Sequence, residues 1–328
     1  MAIGIRYTFA MRTAISVSGT TGPDGDPTVG RWLTRTLAAD PPRAKSLIVT
    51  VWGDALAPHG GALWLGDLIG LLGAFAIGER NVRTSVYRLA ADGWLRGETR
   101  GRQSRYRLTR SGERAFADAY RRIYFPHADD WDGDWQLVIA PPDTLSARER
   151  VSLRNAFAWN GFGALAPGVF ARPLGAHGES IPASASILAR LTVLAARDDT
   201  RVDAAPLSAS AAKAWDLRGL TATWRTYLTR FGRAIDYFRR SGSRAPSPQQ
   251  CFAARTLLIH AFRRMLLRDP LLPPMLLPLD WPGAAAYALT RDFYQLVYRP
   301  ADAYLAQRLG ADFGAASGEF HRRFGGLE

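Results

Sequence analysis

Residues 79–93 carry the side chains whose types and spacing could do the most chemistry in this 328-residue chain. On a wheel of about 100° per residue, Val82, Val86 and Leu89 fall together, with Ala90 near them. Arg80, Thr84, Tyr87, Arg88 and Ala91 fall opposite, flanked by Asn81 and Arg83. A helix with an apolar back and a small-plus-basic front suits a DNA major groove. There Arg meets guanine O6 and N7, Asn meets adenine, and Thr meets the thymine methyl. A basic stretch follows, with Arg100, Arg102, Arg105 and Arg107 around Gln103. Alternation along a strand sets Arg105 and Arg107 opposite Tyr106 and Leu108, which makes a basic wing suited to phosphates or a minor groove. A charge run alone favours a solvated helix face and a charged hairpin in a protein that meets no nucleic acid. Here nine arginines against Asp92 and Glu98 in residues 80–110 sit inside a helix–helix–hairpin order with a DNA-binding precedent.

Catalytic chemistry is poorly provided for. There is no G-x-S-x-G elbow, Walker loop or H-E-x-x-H. His127, His177 and His321 stand in Pro- or Gly-containing or terminal surroundings and supply no triad. Asp134, at a strand start, is a conceivable metal ligand, yet no second carboxylate is placed to share a Mg²⁺. The acidic run 129–134 is more simply a solvated domain junction. Cys251 is either a surface thiol or a buried small residue. The expectation is a protein without enzyme activity, a metal or a cofactor.

The elements that must position the basic front are legible around it. Residues 43–56 form a mostly apolar helix candidate, and Leu65, Leu68, Ile69 and Leu72 step at helical spacing. The helix from residue 79 is closed by Gly93. Residues 94–100 and 104–110 read as two short strands, and Ser111 as the cap of a helix over 112–124. This is the pattern of a winged helix-turn-helix. Beyond it, strands at 135–140, 168–172 and 191–196 and a helix at 146–161 with a Ser146/Glu149 capping box make a small α+β domain. Residues 214–238 carry Leu220, Trp224, Tyr227, Phe231, Ile235 and Phe238 at three- and four-residue steps. Another helix follows the linker 241–248, with Phe252, Ile259, Phe262 and Leu266 in one stripe, and a final pair is expected at 283–298 and 301–309.

The expected fold is therefore α+β and multidomain. Residues 1–40 form a disordered or extended tail, 41–128 a winged-helix DNA-binding domain, 129–205 a middle domain, and 206–328 a helical domain. Residues 1–40 rest on the Gly-, Pro-, Thr- and Asp-rich stretch 19–30, and Met11 is an alternative start. A single cysteine forms no internal disulfide, and no stretch reaches the about 18 apolar residues of a membrane span, so a cytoplasmic setting is expected. The net charge of +13 divides unevenly. Residues 1–42 carry +1, 43–125 carry +7, 126–205 carry −3 and 206–328 carry +8. Only Lys45 and Lys213 are lysines, so arginine-rich coding contributes to the excess.

Specific segments then resemble a known family. RAKSLIVTVWGDAL (43–56), VRTSVYRLAADGWL (82–95), GRQSRYRLT (101–109), RRIY (121–124), GFGALAPGVF (161–170) and the run from Ile259 to Gly283 together resemble the PaaX family of phenylacetate-degradation repressors. The likeness covers about residues 41–308. It implies a dimeric, one-component repressor with a winged-helix N-terminal domain, a ferredoxin-like middle domain and a helical C-terminal domain. It further implies release from operator DNA by phenylacetyl-CoA or a related aryl-acyl-CoA. Transferred by position, the recognition helix bears Arg83 and Arg88, and the wing bears Gly101, Arg102, Ser104 and Tyr106.

An acyl-CoA effector carries phosphates at one end and an apolar acyl group at the other. On that implication His260, Arg263, Arg264 and Trp281 are the candidate effector residues. The alternative for each is structural: His260 as a core or inter-domain hydrogen-bonding residue, and the arginines paired with Asp269 or Asp280. Two other functional classes stay open at this point. One is an acyl-CoA-using enzyme or metal-dependent nuclease with a fused winged helix, and the other is a winged-helix protein adaptor.

Overall fold

A computed structural model describes residues 25–125, 131, 133–141, 143–174, 181–197, 205–240 and 244–327. His127, His177 and all of the 129–134 run except Trp131, Gly133 and Asp134 lie outside the described residues, as do residues 1–24 of the expected tail.

Within that tail the expectation needs correction. Residues Pro27–Ala39 form a helix, α1, started by Asp26, whose carboxylate accepts from the backbone N–H of Thr28 and Val29, and by Pro27 in the first turn. Val29, Trp32, Leu33 and Leu37 recur on one face and are buried. Trp32 meets Phe231 and Phe238 edge-on, and these aromatics lie some two hundred residues away. The turn-forming composition just before α1 hides this amphipathic stripe.

The next helix, α2 (Ala44–Val51), runs without a break into a π turn at Trp52–Leu56 and a 3₁₀ turn at Ala57–His59. Gly60 and Gly61, both at positive φ, turn the chain into a short strand, β1 (Ala62–Trp64). Then come α3 (Leu65–Gly73), α4 (Glu79–Ala91), β2 (Leu95–Arg100), β3 (Gln103–Leu108) and α5 (Arg110–Tyr124). The sheet order is β1-β3-β2, all antiparallel, so the hairpin gains a third strand that periodicity did not reveal. Thr109, not Ser111, caps α5: its side chain accepts from Gly112 N–H, while the Ser111 hydroxyl donates to Gly93 O.

The middle unit runs β4 (Asp134–Ile139), α6 (Ala147–Trp159), β5 (Gly163–Ala166), β6 (Val169–Pro173), α7 (Ala185–Leu188) and β7 (Thr192–Arg197). Its sheet order is β5-β6-β4-β7, again antiparallel. The Ser146/Glu149 capping box starts α6 as expected. Phe157, Phe162 and Phe170 pack on Val138 and Leu153 in a small core.

Among the described residues five helices follow: α8 (Ala205–Ala214), α9 (Leu217–Arg239), α10 (Pro248–Leu266), α11 (Gly283–Leu309) and α12 (Gly318–His321). The 214–238 helix starts later than expected because Asp216, at φ 46°, breaks the chain and caps α9 through Gly219 N–H. The expected pair 283–298 and 301–309 is one helix carrying Pro300 inside it. Leu305 and Leu309 on its second half are buried with Phe293 and Val297 on its first, so packing carries the helix past the proline.

One buried cluster joins α1–α5 to α9–α11: Leu47, Ile48 and Val51 share it with Leu258, Ile259 and Phe262, and Val82 and Leu89 belong to it too. Residues 41–128 and 206–328 thus contribute to a common core. Among the described residues no helix is long and apolar enough to cross a membrane, and no group of three or more His, Cys, Asp or Glu is placed to hold a metal ion. Asp134 instead pairs with Arg197 across the sheet, and Cys251 is buried.

Candidate functional site

α4 follows an extended Gly78 and carries Glu79 in its first turn; the chain leaves it through Gly93, at φ 75°. Val82, Ser85, Val86 and Leu89 are buried against α2 and α3. This leaves Arg80, Asn81, Arg83, Thr84, Tyr87 and Arg88 on an exposed front, with Tyr87 73% accessible. Arg83 pairs with Glu79 one turn back, at 2.7 Å, a surface pair worth about 0–1 kcal/mol. Arg80 and Arg88 have no ion pair among the described residues.

The hairpin reverses at Gly101, at φ 60°, and puts Arg100, Arg102 and Gln103 at an exposed tip. Arg100 and Arg102 also have no ion pair among the described residues. The other two hairpin arginines are engaged. Arg107 pairs with Glu98 on the neighbouring strand. Arg105, expected on the nucleic-acid face, turns inward to Asp312 at 2.5 Å, with its guanidinium 5.8 Å from the Trp64 ring. Strand alternation does place it off the Tyr106 face, but an acidic side chain from beyond α11 covers that face. Arg96, exposed on β2 directly opposite Arg107, belongs to the same basic surface and was not singled out in the sequence. Its signal was the register of the hairpin, which only strand pairing supplies.

A buried ionic cluster is built on the π turn that follows α2. Asp54, on the π turn, accepts from Arg255 Nε at 2.7 Å, Arg323 Nη1 at 3.0 Å, the Tyr124 hydroxyl at 2.6 Å and the Tyr294 hydroxyl at 3.0 Å. Arg255 also reaches Asp302 at 2.5 Å. Burial pushes the Asp54 carboxyl up, but Arg255 and Arg323 outweigh it and hold it below the ordinary carboxylate range. Two arginines against two aspartates leave the cluster balanced, which buried charge requires.

The candidate effector residues divide. His260, Arg263 and Arg264 line one cavity of about 510 Å³ together with Asp40, Arg43, Ser46, Leu267 and Arg268. Trp281 is not in that lining; it packs partly buried beside Leu272 and Trp135. His260 Nδ1 is 2.9 Å from the Thr50 hydroxyl, between α10 and α2. Burial, reinforced by Arg263 and Arg264, pushes its pKa down to about 3, so it is a neutral hydrogen-bonding group. The arginines do not pair with Asp269 or Asp280. Arg263 donates to the Ser46 carbonyl and hydroxyl at 3.2 Å, and Arg264 meets Asp40 at 3.3 Å. Asp269 instead accepts from Trp224 Nε1, and Asp280 pairs with Arg225. Arg43 and Arg268 complete the basic lining. They were missed because they enter it from the start of α2 and the end of α10, 225 positions apart.

Three families match in chain order: PaaX-like protein over residues 43–112, PaaX protein central Cas2-like domain over 128–205, and PaaX-like protein C-terminal domain over 215–307. The chain is 33% identical over 294 residues to a protein of Escherichia coli (strain K12) described as Transcriptional repressor PaaX, covering 88% of this chain and 92% of that one. Among solved structures, the uncharacterized protein Rv0674 from Mycobacterium tuberculosis superposes with a TM-score of 0.51 at 27% identity, covering 80% of this chain and 98% of that one.

Proposed function

Since the chain belongs to the PaaX family, we propose that it is a one-component transcriptional repressor of an aromatic-acid, phenylacetate-type catabolic operon. Residues 44–124 act as a winged helix, with α4 as the recognition helix and the β2–β3 hairpin as the wing. The middle unit, in β–α–β–β–α–β order, is of the ferredoxin-like kind. The protein acts by binding and not by turnover.

The observation that carries this reading is the front of α4. Arg80, Asn81, Thr84, Tyr87 and Arg88 are exposed together, beside a hairpin tip holding Arg100 and Arg102 without ion pairs among the described residues. Unneutralised guanidinium groups on a rigid helix face suit base edges, and those on a hairpin tip suit phosphates. Neither the Glu79 nor the Glu98 pairing would hold against a phosphate, because exposed pairs are weak.

Repression then works by occupying a promoter as a homodimer, two recognition helices meeting paired half-sites. Release requires that phenylacetyl-CoA, or a related aryl-acyl-CoA, bind the conformation that does not fit the operator better than the one that does. The test is a footprint over the protein's own promoter region. Protection of an imperfect palindrome that phenylacetyl-CoA removes, and free phenylacetate does not, is the expected result. A purified protein indifferent to both DNA and thioester would sink the proposal.

A further inference from the structure

A second cavity, of about 370 Å³, lies where α2, α5 and α10 meet. Its volume is at the small end of ligand pockets, which run about 300–1,000 Å³. Trp94, Phe116 and Tyr120 supply aromatic walls, and Val49, Ile123 and Ile259 aliphatic ones. The Phe116 ring lies against Gly53 so closely that a Cβ there would come within 2.6 Å of it, so the glycine on the π turn shapes this wall. The lining is mixed: Arg122 from α5 and Arg263 from α10 stand in it beside Thr50, Asp54 and Asn160. The Nη2 atom of Arg122 donates to the Leu266 and Asp269 carbonyls, and that of Arg263 to Ser46. The Nε–H of each is buried without a hydrogen-bond partner among the described residues. Buried donors in a folded protein are almost always paired, so two orphaned donors on side chains that line one chamber mark a local shortage of acceptors at this wall.

Arg263 and Leu267 line this chamber and also the basic cavity of Arg43, Arg264 and Arg268. The two spaces are neighbours of opposite character. One is smaller and aromatic-walled, with the two orphaned donors on its arginines; the other is larger and arginine-rich. Resting on the effector reading above, we propose that the chamber walled by Trp94, Phe116 and Tyr120 receives the aryl-acyl end of the effector, its carbonyl facing Arg122 and Arg263. The phosphate-bearing end then lies over Arg43, Arg264 and Arg268.

The chamber also touches the DNA-binding elements. Trp94 N–H donates to the Leu89 carbonyl at the end of α4, its carbonyl accepts from Thr109 N–H at the start of α5, and the wing begins at the next residue. An aryl group pressed on Trp94 therefore acts on the joint between recognition helix and wing. Effector and operator are thereby given different preferences for the setting of that joint, which is what coupling requires.

The test is calorimetric titration of the full chain with phenylacetyl-CoA, CoA and phenylacetate. Ala119 lines the chamber from α5, and Ala119→Leu fills it with a residue that suits a helix. Expected is a loss of roughly tenfold or more in phenylacetyl-CoA affinity for Ala119→Leu and for Arg122→Gln, with CoA affinity within about twofold. Arg268→Ala should weaken both CoA compounds. Thermal unfolding of each variant confirms that it is folded. Phenylacetate binding that Ala119→Leu abolishes supports the chamber and makes the free acid the ligand. If wild type binds the thioester and both chamber variants bind it equally well, the chamber assignment is overturned and the effector reading stands. If wild type binds none of the three, both fall.

Discussion

Asp54 and Arg323 are 269 positions apart in the chain and 3.0 Å apart in the fold. The aspartate sits on the π turn that leads into β1, α3 and α4, and the arginine on the last turn among the described residues, beside Phe324 at φ 54°. Both are fully buried, and Arg323 also lies 4.0 Å from the Tyr124 ring centroid. The C-terminal segment is thus a structural part of the N-terminal unit.

Removing either partner strands the other charge. Arg323→Ala or Asp54→Asn should cost about 3–5 kcal/mol, read from urea unfolding. A cost below about 1 kcal/mol would show that the pair carries little of the connection.

His260 makes stability pH-dependent. Its folded pKa, pushed down to about 3 from 6.5, means the unfolded chain takes up a proton that the folded one refuses. The contribution of the neutral ring is complete above the unfolded value and declines as pH falls from 6.5 toward 3. The slope is about 1.4 kcal/mol per pH unit. His260→Gln should flatten the stability curve by that slope between about pH 6 and pH 4. Parallel curves for wild type and variant would refute this. Asp54, whose folded pKa is also depressed, adds a separate loss only below the ordinary carboxylate range.

Arg88 and Arg102 should fail differently in DNA binding. Arg88→Ala is expected to cost about 1–3 kcal/mol on the operator and to relax preference at one base position. Arg102→Ala should weaken all sequences alike and lower the salt slope by about one. Competition gel shifts over a salt series separate the two, and an unchanged operator preference for Arg88→Ala would reassign it to the backbone.

Arg105 is expected to act through Asp312. Arg105→Ala and Asp312→Ala should weaken operator binding to a similar degree, and the double variant no further, because both release the same tie on the β2–β3 hairpin. Tighter binding by Asp312→Ala, with loss confined to Arg105→Ala, would instead mark Arg105 as a DNA contact.

Trp32→Ala should destabilise the whole protein by about 3–5 kcal/mol, since the ring is buried against Phe231 and Phe238. Stability unchanged within about 0.5 kcal/mol would return α1 to the status of a tail.

Local pattern carried much of the fold into view. The three-and-four spacing of Val82, Val86 and Leu89 marked α4 and its exposed front, because the buried side of a single helix is written in neighbouring residues. Gly101 between alternating residues marked the hairpin, and Ser146 with Glu149 marked the start of α6. β1 escaped because three residues are too few to show a period. α1 escaped because its partners are Phe231 and Phe238, which local composition cannot report.

The sequence by itself determined which residues of α4 face outward, the order of the motifs and hence the family. The tertiary structure decided which arginines are free to meet another molecule. Arg105 and Arg107 look alike in the sequence, yet one is held by Asp312 and the other by Glu98, while Arg102 stands clear. Likewise His260 was set as a neutral group by burial with Arg263 and Arg264 beside it, and Asp54 as a buried anion by Arg255 and Arg323. Periodicity follows from the geometry of one element, whereas the state of a charge depends on burial and on partners brought from anywhere in the chain.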